Sequence, residues 1–125
     1  MANPNIVNVT SIYGNTTYLT PSTASATTWT ALTPAVGTVN KVNNIVAANV
    51  TGSAVAVTVS INSAISGGGT AYDIAYQISV PANASLIIID KSTSIYVGEA
   101  QSIVVTVGTG SAIELTSSYE AITSS

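Results

Sequence analysis

Cysteine and histidine are both absent from this sequence of 125 residues. Without cysteine the chain can form neither a disulfide nor a thiolate metal site. Without histidine it lacks the side chain that most often acts as a general base near neutral pH and most often binds metals. These two absences remove the usual nucleophile–base pairs and most transition-metal sites, so they favour a structural protein over an enzyme.

Charged side chains are also scarce, at 6% of the sequence. They are Lys41, Lys91, Asp73, Asp90, Glu99, Glu114 and Glu120. Because phosphate binding needs several cations, two lysines in a chain of net charge −3 argue against a nucleic-acid partner. No apolar run approaches the roughly 18 residues of a membrane-spanning helix, so we expect no membrane partner either.

The five carboxylates are the remaining candidates for acid–base catalysis. A glycosidase needs two carboxylates on either side of one cleft. The strand pattern described below instead spreads these side chains over polar strand faces and strand ends, where solvated charges are usual. Calcium would need several oxygen ligands in one loop, and the sequence has no Asp-rich loop. We therefore expect no catalytic residue, no cofactor and no metal site.

What the sequence does contain is alternation of apolar and polar residues, most clearly over residues 70–80. A period of two predicts a strand with one buried face. That face consists of Tyr72, Ile74, Tyr76, Ile78 and Val80, and we expect both tyrosines to pack in the core. Pro81 and Asn83 then supply turn chemistry before the apolar run 86–89. The stretch 70–91 therefore predicts a β-hairpin at the centre of the domain.

Similar strand patterns fill the rest of the sequence after residue 36. Residues 41–49 and 54–62 predict a second hairpin, and shorter strands follow at 95–97, 102–107 and 112–122. The alternation predicts these apolar faces: Val55, Val57, Val59 and Ile61 in 54–62, Ile103, Val105 and Val107 in 102–107, and Ile113 and Leu115 in 112–122. No stretch shows the 3.6-residue period of a helix. Seven or eight short strands separated by turn signals predict an all-β fold, an antiparallel β-sandwich of Ig-like or jelly-roll type. A small closed barrel is the alternative.

Residues 1–35 have a different composition, rich in Ser, Thr, Asn and Pro. We interpret them as an extended N-terminal arm or edge strands attached to a β-sandwich domain of residues 36–125. The alternative is a first pair of ordinary sandwich strands. The main anchors of this segment, Tyr13, Tyr18, Trp29 and Leu32, are the candidates for an interface. For Trp29, packing in the core or between subunits is the better interpretation than a ligand platform.

Residues 40–122 also carry short motifs in an order and spacing similar to those of a known family. The motifs are NIVAANV at 44–50 followed by Gly52, YDIA at 72–75, VPANASL at 80–86, DK at 90–91, IYV at 95–97 leading to QS at 101–102, and SYEAI at 118–122. In these segments the sequence resembles the small virion structural proteins of tailed bacteriophages, especially marine and cyanobacterial phages. The resemblance implies a β-sandwich component of the virion.

Our leading hypothesis is a capsid decoration protein that binds capsomer surfaces on the outside of the head. It would be a homo-oligomer with the major capsid protein or other virion proteins as partners. One alternative is a tail, neck or fibre component of the virion. A second alternative, from another class, is a carbohydrate-binding or adhesion module, whose aromatic patch would have to come from Tyr13, Tyr18 and Trp29.

Overall fold

Antiparallel strands make up most of the structure, a computed structural model that describes residues 9–124. The predicted fold class is confirmed, because the strands form two sheets that pack as a β-sandwich. The strands are β1 (Val9–Leu19), β2 (Thr27–Thr28), β3 (Thr38–Val42), β4 (Ile45–Asn49), β5 (Val55–Asn62), β6 (Ala71–Val80), β7 (Ser85–Ile89), β8 (Ile95–Val97), β9 (Ser102–Val107) and β10 (Ile113–Ser124). Two 3-10 helices, at Thr30–Leu32 and Lys91–Thr93, complete the described elements.

Strand β10 is the axis of the first sheet, sheet A. Strand β1 pairs along one side of β10, while β4 and β3 pair with successive halves of its other side. Outside these lie β7, which pairs with β4, and β8, which pairs with β3. The second sheet, sheet B, has the order β2-β9-β5-β6.

The strand order is that of a jelly roll, one of the two predicted types. Strands β3 and β4 act as one interrupted strand beside β10, and β7 and β8 act as one strand outside them. Counted in this way, each sheet has four strands, as in a jelly roll. At the interruption the backbone N–H groups of Asn43 and Asn44 both donate to the Ser118 carbonyl, at 2.8 and 3.3 Å.

Both hairpin predictions are wrong. Strand β6 pairs with β5 and β7 pairs with β4, so the turn at Pro81 carries the chain from sheet B to sheet A. The turn after Asn49 likewise crosses between the sheets. Turn residues mark where a chain reverses, but they do not show whether the next strand returns beside the last or faces it across the core.

The described part of residues 1–35 contributes strands β1 and β2, which lie at edges of the two sheets. Strand β1 pairs with β10 from Val9 to Leu19, and the short β2 pairs with β9. Trp29 is 1% exposed and Leu32 is fully buried in the core. Residues 9–35 thus contain two edge strands, while residues 1–8 of the predicted arm lie outside the described range.

The core lies between the two sheets and is built almost wholly from aliphatic side chains. Its buried members are Trp29, Leu32, Val42, Ile45, Ala47, Val55, Val57, Val59, Val80, Ile89, Val97, Ile103, Val105, Val107, Ala112, Ile113 and Leu115. The predicted inward faces of β5, β9 and β10 are confirmed by this set. Their β-branched shapes suit a pleated, half-buried surface, which explains why the alternation is so clear in the sequence.

Buried asparagines hold the connections at the ends of the sandwich. The Asn49 side chain donates to the carbonyls of Ser53 (2.7 Å) and Val80 (3.0 Å), and it accepts from the Thr51 N–H at 2.9 Å. Asn62 does the same for the glycine-rich loop, accepting from the N–H groups of Ala64 and Gly69. Each amide replaces ladder partners that the chain loses where it leaves the sheet, which keeps buried backbone groups satisfied.

Asp90 caps the second 3-10 helix. Its Oδ1 accepts from the Ser92 hydroxyl at 2.6 Å and from the Ser92 and Thr93 N–H groups at 2.9 and 3.2 Å. The Asp90 N–H donates to the Thr93 hydroxyl at 3.1 Å, which completes a capping box. These hydrogen bonds, those from Ser92 first, hold the pKa of Asp90 below its ordinary value.

The contrast between buried and exposed isoleucines gives a test of the packing. Ile103 is fully buried between the sheets, whereas Ile87 is 64% exposed. We expect Ile103→Ala to lower the free energy of unfolding by about 2–5 kcal/mol. The chemically identical Ile87→Ala should change it by less than about 0.5 kcal/mol, measured by urea denaturation. Equal losses for the two variants would contradict the placement of the core.

The Asp90 cap predicts a pH dependence. Because its pKa is lowered by folding, the carboxylate stabilises the folded state above the unfolded pKa, about 3.9, and this contribution is lost as pH falls through the folded pKa. We expect Asp90→Asn to lower Tm at pH 7, with the difference from the wild type disappearing in strong acid. Asp73→Asn, a charge-matched change at an exposed site on β6, should leave Tm unchanged. A Tm difference for Asp90→Asn that persists at pH 2 would show that the carboxylate charge is not responsible.

Candidate assembly surface

The carboxylates occupy strands and connecting segments in both sheets. Asp73 and Glu114 are exposed on strands, Asp90 is occupied by its cap, and Glu120 is half-buried on β10. Glu99 is buried at 6% exposure, so the expectation that all five are solvated is wrong for this residue. Among residues 9–124 no group of three or more potential metal-binding side chains lies together. In the same range, no helix is long and apolar enough to cross a membrane.

Large apolar side chains are instead exposed on the outer face of sheet A, the face turned away from the core. One row crosses four strands, because Tyr18 lies opposite Thr116, Thr116 opposite Val46, and Val46 opposite Ile87. We call this set of four residues the apolar row. Its two ends are the most accessible, with Tyr18 76% and Ile87 64% exposed. No member of the row is charged, so covering the row with a partner does not require the burial of a charged group.

A second row on the same face contains a pair of opposite charges. Gly14 lies opposite Glu120, Glu120 opposite Lys41, and Lys41 opposite Tyr96, which is 47% exposed. Cross-strand pairs of opposite charge are mildly favourable and cancel one another in net charge. The outer face of sheet A therefore combines exposed aromatic and aliphatic groups with balanced charges near its β8 side.

The four predicted interface residues divide into two pairs. Tyr13 and Tyr18 are exposed on β1, at 65 and 76%. Trp29 and Leu32 lie in the core, so their side chains are not on the accessible surface of this chain. Since Tyr13 and Tyr18 occupy positions of opposite parity on a regular strand, they point to opposite sides of sheet A. The aromatic patch predicted for an adhesion module therefore does not form from these residues.

Tyr72 and Tyr76 were expected in the core, and this expectation is wrong, because they are 63 and 65% exposed. Strand β6 has an extra residue relative to β5 at two places. Between the pairs Val57–Ile78 and Val59–Ala75, β6 advances three residues while β5 advances two. Between Ala75 and Asp73, β6 advances two residues while β5 advances one. Each extra residue is a bulge that breaks the alternation. The left-handed φ of 47° at Gln77 lies within the first bulge, which takes Tyr76 off the inner face.

Ile12, Ile87 and Tyr96 are exposed apolar residues that the sequence pattern did not identify. Ile12 lies on β1 and is 53% exposed, and the other two are on the outer strands of sheet A. The run LIII at 86–89 gives no alternation from which an outward residue could be chosen. Only the pairing of β7 with β4 shows that Ile87 points outward.

Two open clefts border the strip formed by β1 and β10. One, of about 300 Å³, is lined by Tyr18, Leu19, Thr20, Glu114, Leu115 and Thr116. The other, of about 290 Å³, lies around Gly14, Asn43 and Glu120. Their volumes are at the lower limit of those of small-molecule sites. Both are open depressions beside β1 and not enclosed cavities.

No protein-family model and no curated protein matches this sequence. Solved structures match its fold. A chain of the T13 particle of IBDV, infectious bursal disease virus, aligns with a TM-score of 0.55 at 8% identity, over 91% of this chain and 31% of that chain. This chain thus spans about a third of the viral chain's length. A chain from Bacillus endospore appendages, described as disulfide-linked pili, aligns with a TM-score of 0.51 at 19% identity, over 92% of this chain and 90% of that one. At such identities the likeness is one of fold.

Proposed function

We propose that this chain is a structural protein of a bacteriophage virion and decorates the outside of the head. The observation that carries the proposal is the apolar row on the outer face of sheet A, with Tyr18 and Ile87 largely exposed at its two ends. Exposed, contiguous apolar surface on a small domain marks a site of protein interaction. Support also comes from the resemblance of its short motifs to those of phage virion proteins and from a fold similar to that of a chain of a viral particle.

The mechanism is stabilisation by binding only the assembled state. A protein that binds a folded, assembled partner but not its separated parts shifts the equilibrium toward assembly. Here the apolar row would be covered by capsomer surface, and each aliphatic side chain fully buried in this way contributes about 1.5–3 kcal/mol. No covalent chemistry is needed, which agrees with a chain that has neither cysteine nor histidine.

A second candidate is a fibre, neck or tail component. It is favoured by the alignment to the Bacillus appendage chain, which covers nearly the whole of both chains. Those pili are described as disulfide-linked, whereas this chain has no cysteine. A filament of this protein would therefore have to be held by non-covalent contacts alone.

Copy number separates these candidates. We expect purified virions to contain this protein in an amount comparable to the major capsid protein, because decoration follows the head lattice. The measurement is quantitative mass spectrometry of purified particles. A small copy number per particle, equal to the symmetry of a ring or spike, would instead assign the protein to the neck, tail or fibre. Absence from the particle would refute a virion role.

The apolar row predicts which residues attach the protein. Because a buried aliphatic side chain contributes about 1.5–3 kcal/mol, Ile87→Ser should weaken binding to undecorated heads by at least about tenfold. Tyr72→Ser, on β6 of the other sheet, is the matched control, since Tyr72 is exposed to the same extent as Ile87. Occupancy is measured by cosedimentation with heads, after circular dichroism has shown that both variants fold. Loss of binding by Tyr72→Ser alone would move the contact to sheet B.

A further inference from the structure

The pairing of β10 determines which backbone groups of β1 are free. Ser118 directs its carbonyl and N–H toward the interruption between β3 and β4, where they bond the N–H groups of Asn43 and Asn44 and the Asn44 side chain. Its neighbours Ser117 and Tyr119 therefore point the other way, toward β1, because successive residues of a strand bond to opposite sides. Opposite them lie Thr17 and Asn15.

It follows that Thr16, between these two residues, directs its N–H and carbonyl away from β10. The register is continuous from residue 11 to residue 19, so the same holds for every second residue. The outward-directed residues are Ile12, Gly14, Thr16 and Tyr18. Among residues 9–124, β1 pairs with β10 alone, and these backbone groups have no strand partner.

The other edges of the two sheets are short or irregular. Strands β2, β7 and β8 have two, five and three residues, and β6 contains two bulges and a left-handed residue at Gln77. Short strands, bulges and charges are the means by which proteins prevent pairing at an edge. Strand β1 has none of these over residues 11–19: it is long, in continuous register, and free of charge and proline.

We propose that this edge binds the β1 strand of a second copy of the chain, antiparallel and centred on Asn15. A centre at Asn15 places Ile12 opposite Tyr18 of the partner subunit and Gly14 opposite Thr16 of the partner subunit. All of these are outward-directed residues, so each pair exchanges two N–H···O=C hydrogen bonds. The centre is also the midpoint of the regular stretch 11–19, so the whole stretch is paired.

The side chains favour this register and a second copy as the partner. Ile12 and Tyr18 both lie on the outer face of sheet A and are 53 and 76% exposed. In the dimer they form two equivalent aromatic–aliphatic cross-strand pairs, a favourable combination. Because β1 has no charged side chain, two copies approach without like-charge repulsion, whereas a charged partner strand would find no counter-charge.

The dimer would join the two copies of sheet A into one continuous sheet. The apolar row of one copy would end at Tyr18 and continue into Ile12 of the partner subunit, so the two outer faces would form a single surface. This inference goes beyond the proposed function, because it concerns the isolated chain in solution. Its test does not depend on whether this protein is part of a virion.

Engineered cysteines test the register directly, since the chain has no cysteine of its own. Across the proposed axis Asn15 faces Asn15 of the partner subunit in a non-hydrogen-bonded pair, with Cα atoms about 4.5 Å apart, within the range for a disulfide. We expect Asn15→Cys to form a covalent dimer under mild oxidation. Thr17→Cys is the control: two such cysteines would be four residues apart along the strands, about 13 Å, and should cross-link at least tenfold more slowly. Faster cross-linking of Thr17→Cys, or none by Asn15→Cys, would overturn the proposal.

Proline substitutions test the hydrogen bonds without cysteine chemistry. Thr16→Pro removes an outward N–H and should weaken self-association at least about tenfold while the fold is kept, since proline is tolerated at a sheet edge. Thr17→Pro removes an N–H that bonds β10 and should instead lower Tm. Sedimentation equilibrium of the wild-type and variant chains over a range of concentrations measures the association. A wild type that stays monomeric up to millimolar concentration, or a folded Thr16→Pro that dimerises as tightly as the wild type, would contradict the proposed pairing.

Discussion

Strand β10 forms hydrogen bonds along both of its sides, and the arrangement of sheet A depends on this double ladder. Residues of even number bond the β3–β4 side, and residues of odd number bond β1. Strand β1 is therefore held by the last strand of the described range, a contact of large separation in sequence. The same alternation leaves every second backbone group of β1 directed outward, so the edge of the sheet follows from how its centre is bonded.

Because charged side chains are scarce, buried side-chain amides form many of the hydrogen bonds that fix loop geometry. Asn49 and Asn62 each bond several backbone groups where a strand ends, and Asn40 donates to the Leu32 carbonyl at 3.0 Å. A neutral amide both donates and accepts, and it carries no Born penalty when it is buried. These loops are therefore fixed by neutral hydrogen bonds and not by ion pairs.

The sequence predicted the fold class and the inward faces of β5, β9 and β10, because alternation over a core of Val and Ile is a local signal. It did not predict which strands pair. The turn at Pro81 was assigned to a hairpin although it crosses between sheets, since turn chemistry is the same in both cases. The pattern at Tyr76 failed for a different reason: the first bulge of β6 depends on its register with β5, which is a tertiary property.

The exposed residues also divide into those that a local sequence signal identifies and those that only strand pairing identifies. Tyr18 was identified from the sequence because it is a large ring in a polar segment, and the structure places it on the surface. Ile87 lies in an unbroken apolar run, and its outward direction follows only from pairing with Val46. The apolar row joins residues from four strands, so no local pattern could have brought its members together.

The burial of Trp29 has a spectroscopic consequence. It is the sole tryptophan, it lies among core side chains beside β9, and its backbone N–H donates to the Ile103 carbonyl. Its fluorescence emission therefore reports the integrity of the space between the sheets. The tyrosines of β1, by contrast, lie at the surface and are the chromophores that a neighbouring chain would perturb. Folding and assembly of this molecule thus have separate intrinsic optical signals.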